Sequence, residues 1–361
     1  MKTGQAIRRG MRSYGRSLLS GSLLVCCMSC TDWIYEDRSG CDRGVYLNFR
    51  YDYNLQRADM FSDHVGGVTV YVFDADGDFV TSRSEANTAG SAPLRAKDYR
   101  MHLDLPAGEY RFVALAMQKE VAETQRGPGA KFRIAGPDGG KMEGLSVTLD
   151  HAPDGRVEHG GLPLDTLWHA MSPRSVVTSD LYAVSETLSL VRDTKHIDVV
   201  LREIDDPAGV DVADYDFRIT DRNLRLRYDN SVDESGPAVY TPYVAWNTED
   251  RTGREAAEGV GRMAHVGFMT SRILYHDRAE KDAVLTVTHR ETGREVIRVN
   301  LADMLARLRS ADELHACSEQ EFLDRGYDYR MTFFLKGDTW EAVDLEISVL
   351  NWSRRIQNVI L

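Results

Sequence analysis

Short segments in which apolar and polar residues alternate recur from residue 45 to the end of the chain. In the first of them, Val45, Leu47, Phe49, Tyr51 and Tyr53 fall on one face. A period of two residues is typical of a strand with one face buried and one face in water. Turn residues separate many such segments, so the sequence predicts an all-β fold of two β-sandwich domains with a few short helices.

Some segments carry more specific predictions. The β-branched and aromatic run 68–73 predicts a strand with both faces covered. The Pro/Gly turn between 101–105 and 110–116 predicts a hairpin, and so does the turn between 284–289 and 295–299.

Apolar residues at helical spacing occur mainly in the last quarter of the chain. They predict a helix over 301–308, and Ser318 predicts a capped helical turn over 319–323. A further helical turn is expected over 161–169.

A charged stretch with Pro and Gly, 203–209, interrupts the strand pattern and is the best candidate for a domain boundary. We therefore expect an N-terminal sandwich over 43–204 and a C-terminal sandwich over 210–361.

The first 29 residues look like a lipoprotein signal peptide. Five basic residues and no acidic residue precede an apolar run from Leu18 to Met28, and Ser29 stands before Cys30. This order predicts cleavage before Cys30 and acylation of its thiol, after which 30–42 would be a polar, acidic tether. Cys27 is the weaker acceptor because Cys26 precedes it, and a plain secretory signal is the alternative.

The charge of the chain limits its partners. The formal charge is −12, and removal of the five basic residues of the leader leaves −17. Such an acidic body is not expected to bind nucleic acid, which attracts basic surfaces.

Two cysteines remain after the leader and Cys30, namely Cys41 and Cys317. In an oxidising compartment they could form a disulfide, or both could remain thiols. The spacing of Cys and His residues does not match a zinc site, and we expect neither metal nor cofactor.

Motifs of catalysis are also missing from the sequence. It contains neither a Gly-x-Ser-x-Gly elbow nor a His-Glu-x-x-His helix, so we expect no enzyme activity. Aromatic residues at strand spacing could form the floor of a sugar site, although cross-strand packing is their more common role. They are Tyr46, Tyr51, Tyr53, Trp340 and Trp352.

Several ordered blocks resemble the fimbrial anchor lipoproteins of the Bacteroides group, the anchoring subunits of minor and major (type V) fimbriae. The blocks are 41–54, Ala58-Asp59 with Phe61, 68–74, 105–110, Leu164-Asp165 with His169, 319–325 and Asn351-Trp352. They span nearly all of the mature chain. Cys317 stands where an apolar residue such as Met is expected in that family.

The resemblance implies two transthyretin-like β-sandwiches and an adhesive-fibre role without catalysis. It implies an outer-membrane anchor, held by acylated Cys30 and facing the cell exterior, that binds fimbrillin stalk subunits by strand addition and limits fibre length. The residues 356–361 are either a donor strand or an ordinary last strand. The alternatives are a stalk or tip subunit and a surface lipoprotein that binds a glycan or host ligand.

Overall fold

Segments with alternating apolar and polar residues form strands, and within the described residues these strands pair into five sheets. The computed structural model describes residues 42–249, 261–311, 317–337, 339–349 and 352–357. Within these ranges, Arg43 onward belongs to one compact unit.

Strands dominate the described residues, in agreement with the predicted all-β class. Their bounds are β1 (Val45–Arg50), β2 (Gly67–Asp74), β3 (Phe79–Ala86), β4 (Arg100–Leu103), β5 (Gly108–Met117), β6 (Phe132–Ala135), β7 (Ser146–Leu149), β8 (Arg156–Val157), β9 (Leu167–Met171), β10 (Val176–Thr178), β11 (Val184–Ser189), β12 (Val191–Arg192), β13 (Lys195–Glu203), β14 (Tyr215–Asp221), β15 (Arg225–Arg227), β16 (Val232–Asp233), β17 (Ala238–Tyr240), β18 (Val244–Glu249), β19 (Arg262–Thr270), β20 (Val284–His289), β21 (Glu295–Asn300), β22 (Asp328–Lys336), β23 (Thr339–Val349) and β24 (Trp352–Gln357).

The helices are short. The α-helices are α1 (Phe61–His64), α2 (Val121–Thr124), α3 (Leu301–Ala306) and α4 (Glu319–Arg325). Single 3₁₀ turns occupy Pro93–Arg95, Asp138–Gly140, Met142–Gly144, Val212–Asp214, Ala279–Lys281 and Arg307–Ala311. The Ser318 cap is confirmed, because its hydroxyl accepts from the N–H of Glu321 at 3.2 Å.

The strands pair into five sheets. Sheet 1 has the order β11-β1-β4, and sheet 2 has the order β12-β9-β5-β2-β3, with β10 also on β5. Sheet 3 is β18-β19-β13-β22-β23-β24, sheet 4 is β21-β20-β14-β17-β8, and sheet 5 is β16-β15-β7-β6.

Sheet 2 separates two hydrophobic cores. Alternate residues of β5 show this: Phe112 and Ala114 belong to the smaller core, whereas Val113 and Leu115 belong to the larger one. Sheets 1 and 2 enclose the smaller core, and sheets 2 to 5 contribute to the larger core. The prediction that 68–73 has both faces covered is confirmed, since only Tyr71 in that run is not fully buried.

Two local predictions were wrong. The segments 101–105 and 110–116 are not a hairpin, because β4 pairs with β1 in sheet 1 while β5 pairs with β2 and β9 in sheet 2. A Pro/Gly turn ends a strand but does not determine which sheet the next strand joins. The expected helical turn over 161–169 is instead a loop leading into β9. The hairpin of β20 and β21 is confirmed.

The strand β13, expected to close the first domain, lies in sheet 3. It pairs with β19 on one side and with β22 on the other. Strand pairing is not limited by distance along the chain, so a linker-like sequence after a strand does not show which sheet that strand belongs to. The domain division at 204–210 stays a prediction.

Candidate interaction site: an open edge and a buried joint

The edge strand β3 is the longest strand at the border of any described sheet. It pairs with β2 from Gly67 opposite Ala86 to Phe73 opposite Phe79, and no described strand lies along its other side. Six of its eight residues are exposed. An edge of this kind presents backbone N–H and C=O groups to which an extended segment of another chain can pair.

A tight turn fixes where β3 begins. The Asp74 carboxylate accepts from the N–H groups of Asp76 at 3.0 Å and Asp78 at 2.9 Å. Gly77 has a φ of 77°, a value that glycine adopts without strain. These contacts form a tight turn that sets the start of β3.

Polar side chains moderate the edge. Arg83 donates from Nη1 to the carbonyl of His102 at 2.7 Å, which links β3 to β4 in sheet 1. The Thr69 and Ser84 hydroxyls are 2.8 Å apart across the pair. A charged residue in an edge strand discourages indiscriminate pairing while it leaves the backbone groups available.

The edge strand β18 is partly covered by contrast. The Asn247 amide oxygen accepts from the N–H of Val212 at 2.9 Å, and its nitrogen donates to Asp211 at 2.9 Å. Residues of the 3₁₀ turn and its cap thus lie beside β18, whereas the described part of the chain places no strand along the outer side of β3.

Four consecutive buried residues connect the smaller core to the larger one. We call this segment, Arg192 to Lys195, the joint; all four side chains are at most 8% exposed. The Lys195 ammonium donates to the carbonyls of Arg192 at 3.1 Å, Asp324 at 3.1 Å and Gly326 at 2.9 Å. All three of its donors are therefore used, and Lys195 is only 1% exposed.

A buried ion pair stands beside the joint. Arg272 makes a bidentate contact with Asp324 at 2.8 and 2.7 Å, and it also donates to the carbonyl of Asn230. The Asn230 side chain in turn donates to Asp193 at 3.0 Å. This network joins the segment directly before β13 to α4 and to the loop after β15.

Burial shifts the titration of groups in this network. It raises the pKa of Asp193 and lowers the pKa of Lys195. Burial also lowers the pKa of His169 to about 4, and its Nε2 donates to the carbonyl of Tyr228 at 2.7 Å. His169 is consequently neutral at pH 7.

The fold and the sequence match one family over most of the chain. Residues 38–358 match the family Mfa2, described as fimbrillin-A associated anchor proteins Mfa1 and Mfa2. The chain belongs to the Mfa2 family. The resemblance inferred from the ordered sequence blocks is confirmed, and membership associates the protein with fimbriae and with the cell surface.

The individual relatives share only part of their sequence with this chain. The minor fimbrium anchoring subunit Mfa2 of Porphyromonas gingivalis is 22% identical over 295 residues, which are 80% of this chain and 79% of that protein. The crystal structure of a candidate adhesin from Bacteroides thetaiotaomicron has a TM-score of 0.69 and 30% identity, covering 88% of this chain and 99% of that one.

Two further structures share the fold. A candidate polysaccharide-binding protein from Bacteroides thetaiotaomicron has a TM-score of 0.67 and 28% identity, over 88% of this chain and 98% of that one. The fimbrial anchor protein Mfa2 of Porphyromonas gingivalis has a TM-score of 0.58 and 16% identity, over 86% and 98% of the two chains.

The aromatic residues proposed for a sugar site are largely engaged in packing in this Mfa2-family fold. Tyr51 is fully buried with its ring 5.7 Å from Trp168, and burial raises the pKa of Tyr51 to about 12. Tyr46 stacks on His102 at 4.5 Å.

The remaining aromatic candidates do not form a platform either. Arg325 lies 4.1 Å over the ring of Tyr53, and Trp340 packs against Phe333 at 5.4 Å. The Trp352 side chain lies outside the described residues. Sequence reasoning missed Trp246, which is 38% exposed and stacks on His265 at 5.0 Å. Its place in the short apolar run 244–246, directly before the polar residues 247–249, was the available signal.

Several predicted residues lie outside the described part of the chain, including Cys27, Cys30 and Cys41 with the whole signal peptide. Cys317 is buried, and burial raises its pKa. In the described ranges, no cluster of three or more His, Cys, Asp or Glu side chains could hold a metal ion. None of the described helices is long and apolar enough to cross a bilayer.

The C-terminal segment 356–361 is partly described. Ile356 and Gln357 belong to β24, which pairs with β23 at the border of sheet 3. For these two residues the ordinary last strand is the observed arrangement, and the segment 358–361 lies outside the described residues.

Proposed function

We propose that this protein is the anchor subunit at the base of a fimbria. In this proposal Cys30 is acylated, the lipid holds the body on the outer membrane, and the body faces the cell exterior. The membership in the Mfa2 family and the order of residues around Cys30 support it. Acyl chains contribute about 0.8 kcal/mol per buried CH₂, and two or more of them hold a protein stably on a membrane.

The observation that carries the mechanism is the open edge of β3. We infer that a fimbrillin stalk subunit adds an extended segment along Phe79–Ala86, so that backbone hydrogen bonds supply the affinity. The Thr, Ser, Arg and Glu side chains of β3 would then select the partner. Such a connection requires neither catalysis nor a cofactor, so the proposed role is not enzymatic.

The joint fits the transmission of load in this proposal. When the fibre is pulled, the buried contacts of Lys195 would resist hinging between the two cores. The anchor would also limit fibre length, because a fibre capped at its base by a tethered subunit does not continue to grow there.

The test combines lipidation with the position of the fibre. In cells that carry Cys30→Ala, we expect loss of palmitate labelling and fibres shed into the medium, longer than normal. Cys27→Ala is the matched control and should retain labelled protein and cell-bound fibres. Normal attachment and fibre length with Cys30→Ala would contradict the anchor role, and labelling lost only with Cys27→Ala would move the acceptor.

A stalk or tip subunit is the nearest alternative, and the position of the protein on the fibre separates it from an anchor. Immunogold labelling should place an anchor at the base of each fibre. Label along the shaft or at the distal end would favour the alternative.

A second candidate function is supported by Trp246. Its ring is partly exposed and stacks on His265, and aromatic faces of this kind suit sugar rings. One similar structure is also described as a candidate polysaccharide-binding protein. Binding to a glycan array that is lost with Trp246→Ala, with fibres still attached, would favour this function over the anchor.

A further inference from the structure

At one end of the smaller core, three apolar side chains are unusually exposed. We call Val177, Leu181 and Tyr182 the apolar tip; they are 69%, 55% and 61% exposed, the three highest values among the large apolar side chains described. The three lie within six residues of the chain, and exposed apolar patches are typical of protein or membrane interaction sites.

Hydrogen bonds hold the apolar tip in place. Val177 lies in β10, opposite Glu109 of β5. The Asp180 carboxylate accepts from the N–H of Ala107 at 3.0 Å, and the Leu181 N–H donates to the Ser179 hydroxyl at 3.1 Å. The tip is therefore displayed by the sandwich and does not need to be ordered when it binds.

The apolar tip lies at the end of the sandwich where the chain enters it. The N–H of Val184 donates to the carbonyl of Gly44 at 3.0 Å, and Val45 pairs with both Val184 and Leu103. Gly44 has a φ of 88°, and a Cβ there would meet the Leu103 carbonyl at 2.1 Å. The start of the body is thus fixed beside the residues that follow the tip.

The tether is short relative to the body. Eleven residues separate Cys30 from Asp42, and a chain of that length spans at most about 40 Å. If Cys30 is acylated, this end of the sandwich stays close to the membrane surface.

We propose that the apolar tip docks on the lipid surface and orients the anchored body; this rests on the proposed lipid tether. Leucine and valine enter the acyl boundary readily, and tyrosine favours the level of the headgroups. Glu109 lies opposite Val177 in the β5–β10 pair and Asp180 directly precedes Leu181, so docking is apolar, resists salt and favours neutral headgroups over anionic ones. When the apolar tip lies on the membrane, the body is oriented, and β3 keeps a fixed direction relative to the membrane surface.

The first experiment tests docking without the lipid. The mature chain with Cys30→Ala is mixed with phosphatidylcholine vesicles and sedimented. The triple variant Val177→Ser, Leu181→Ser, Tyr182→Ser should bind the vesicles at least about tenfold more weakly, as expected for losing three apolar contacts. The matched control is Leu162→Ser, Ile204→Ser, Val244→Ser, three exposed apolar side chains elsewhere, and its binding should be unchanged.

Other outcomes would overturn the proposal. Equal binding of all three proteins to vesicles would do so, and so would binding that disappears in 0.5 M salt. If the tip variant loses only self-association, measured by sedimentation velocity, the tip is an interface between two copies of the chain.

The second experiment uses the full acylated protein in phosphatidylcholine vesicles. A cysteine at Leu181 or at Leu162, in a Cys41→Ser background, carries an environment-sensitive dye, and nitroxide lipids quench it. We expect at least twofold stronger quenching at position 181 than at 162. Equal quenching at the two positions, in a protein that carries palmitate, would refute docking of the apolar tip and leave the lipid tether intact. Absence of palmitate from the protein would refute the tether, and the first experiment would then decide docking.

Discussion

The joint and the edge strand β3 treat polar groups in opposite ways. In the joint, the Lys195 ammonium is buried and each of its donors meets a backbone carbonyl. Along β3 the outer backbone groups face solvent, and no described strand pairs with them. In the proposed function, the contacts of Lys195 hold the two cores of the subunit together, while the edge of β3 is completed by a strand from a partner.

The largest expected effect comes from Lys195→Ala. It leaves three buried carbonyls without a donor and removes a buried charge from its network, so we expect a loss of about 3–5 kcal/mol in the free energy of unfolding. Urea denaturation measures it. Lys119→Ala is the matched control, since its side chain is 60% exposed and pairs with the equally exposed Glu123; it should cost less than about 0.5 kcal/mol. Similar losses in both variants would remove the distinction between joint and surface.

The next effect depends on pH and concerns His169. Its folded-state pKa of about 4 lies below the unfolded value, so the unfolded chain binds the extra proton between pH 6.5 and 4. Stability conferred by His169 is complete above pH 6.5 and declines as the pH falls, by about 3 kcal/mol in total. We expect the difference in unfolding free energy between wild type and His169→Gln to fall by this amount from pH 7 to pH 4.

His276 gives the control of opposite sign. Burial opposes its charge, but hydrogen bonds to Glu234 at 2.6 Å and Asp282 at 3.0 Å raise its pKa. Its contribution is complete below pH 6.5 and is lost as the pH rises through the folded pKa. The difference between wild type and His276→Gln should therefore decline on the alkaline side. Flat curves for both variants would show that neither histidine is linked to folding.

The edge of β3 should respond in function more than in stability. Successive N–H groups of a strand point to opposite edges, and proline has no N–H. Of the two variants Ser82→Pro and Arg83→Pro, one therefore removes an N–H that points outward from the sheet. The other removes an N–H that is hydrogen-bonded to β2. The outward variant should unfold within about 0.5 kcal/mol of wild type, yet release fibres into the medium. The inward variant should lose about 1–3 kcal/mol. If both variants keep their fibres, β3 is not the acceptor.

The smallest expected effect is that of Cys41→Ser. Since each core already has paired strands, we expect the melting temperature under oxidising conditions to stay within about 2 °C of wild type. A fall of about 10 °C or more, the size expected for losing a few kcal/mol, would show a disulfide with Cys317.

The sequence alone predicted the local conformation of many segments. Alternation in 45–50 and the unbroken apolar run 68–73 gave strands with the correct faces, because side-chain periodicity is a local property. The Ser318 cap, the turn at Gly77 and the β20–β21 hairpin were also predictable, since each depends on residues close together in the chain. The ordered blocks also identified the family.

Tertiary structure alone decided which strands meet. It placed β4 and β5 in different sheets, and it placed β13 between β19 and β22, because backbone pairing is indifferent to the identity of most side chains and to distance along the chain. It also showed why the run Arg192 to Lys195 is buried: two of the three carbonyls that satisfy Lys195 come from residues about 130 positions later. The open edge of β3 and the exposed apolar tip arise in the same way, since exposure depends on which segments the rest of the chain leaves uncovered.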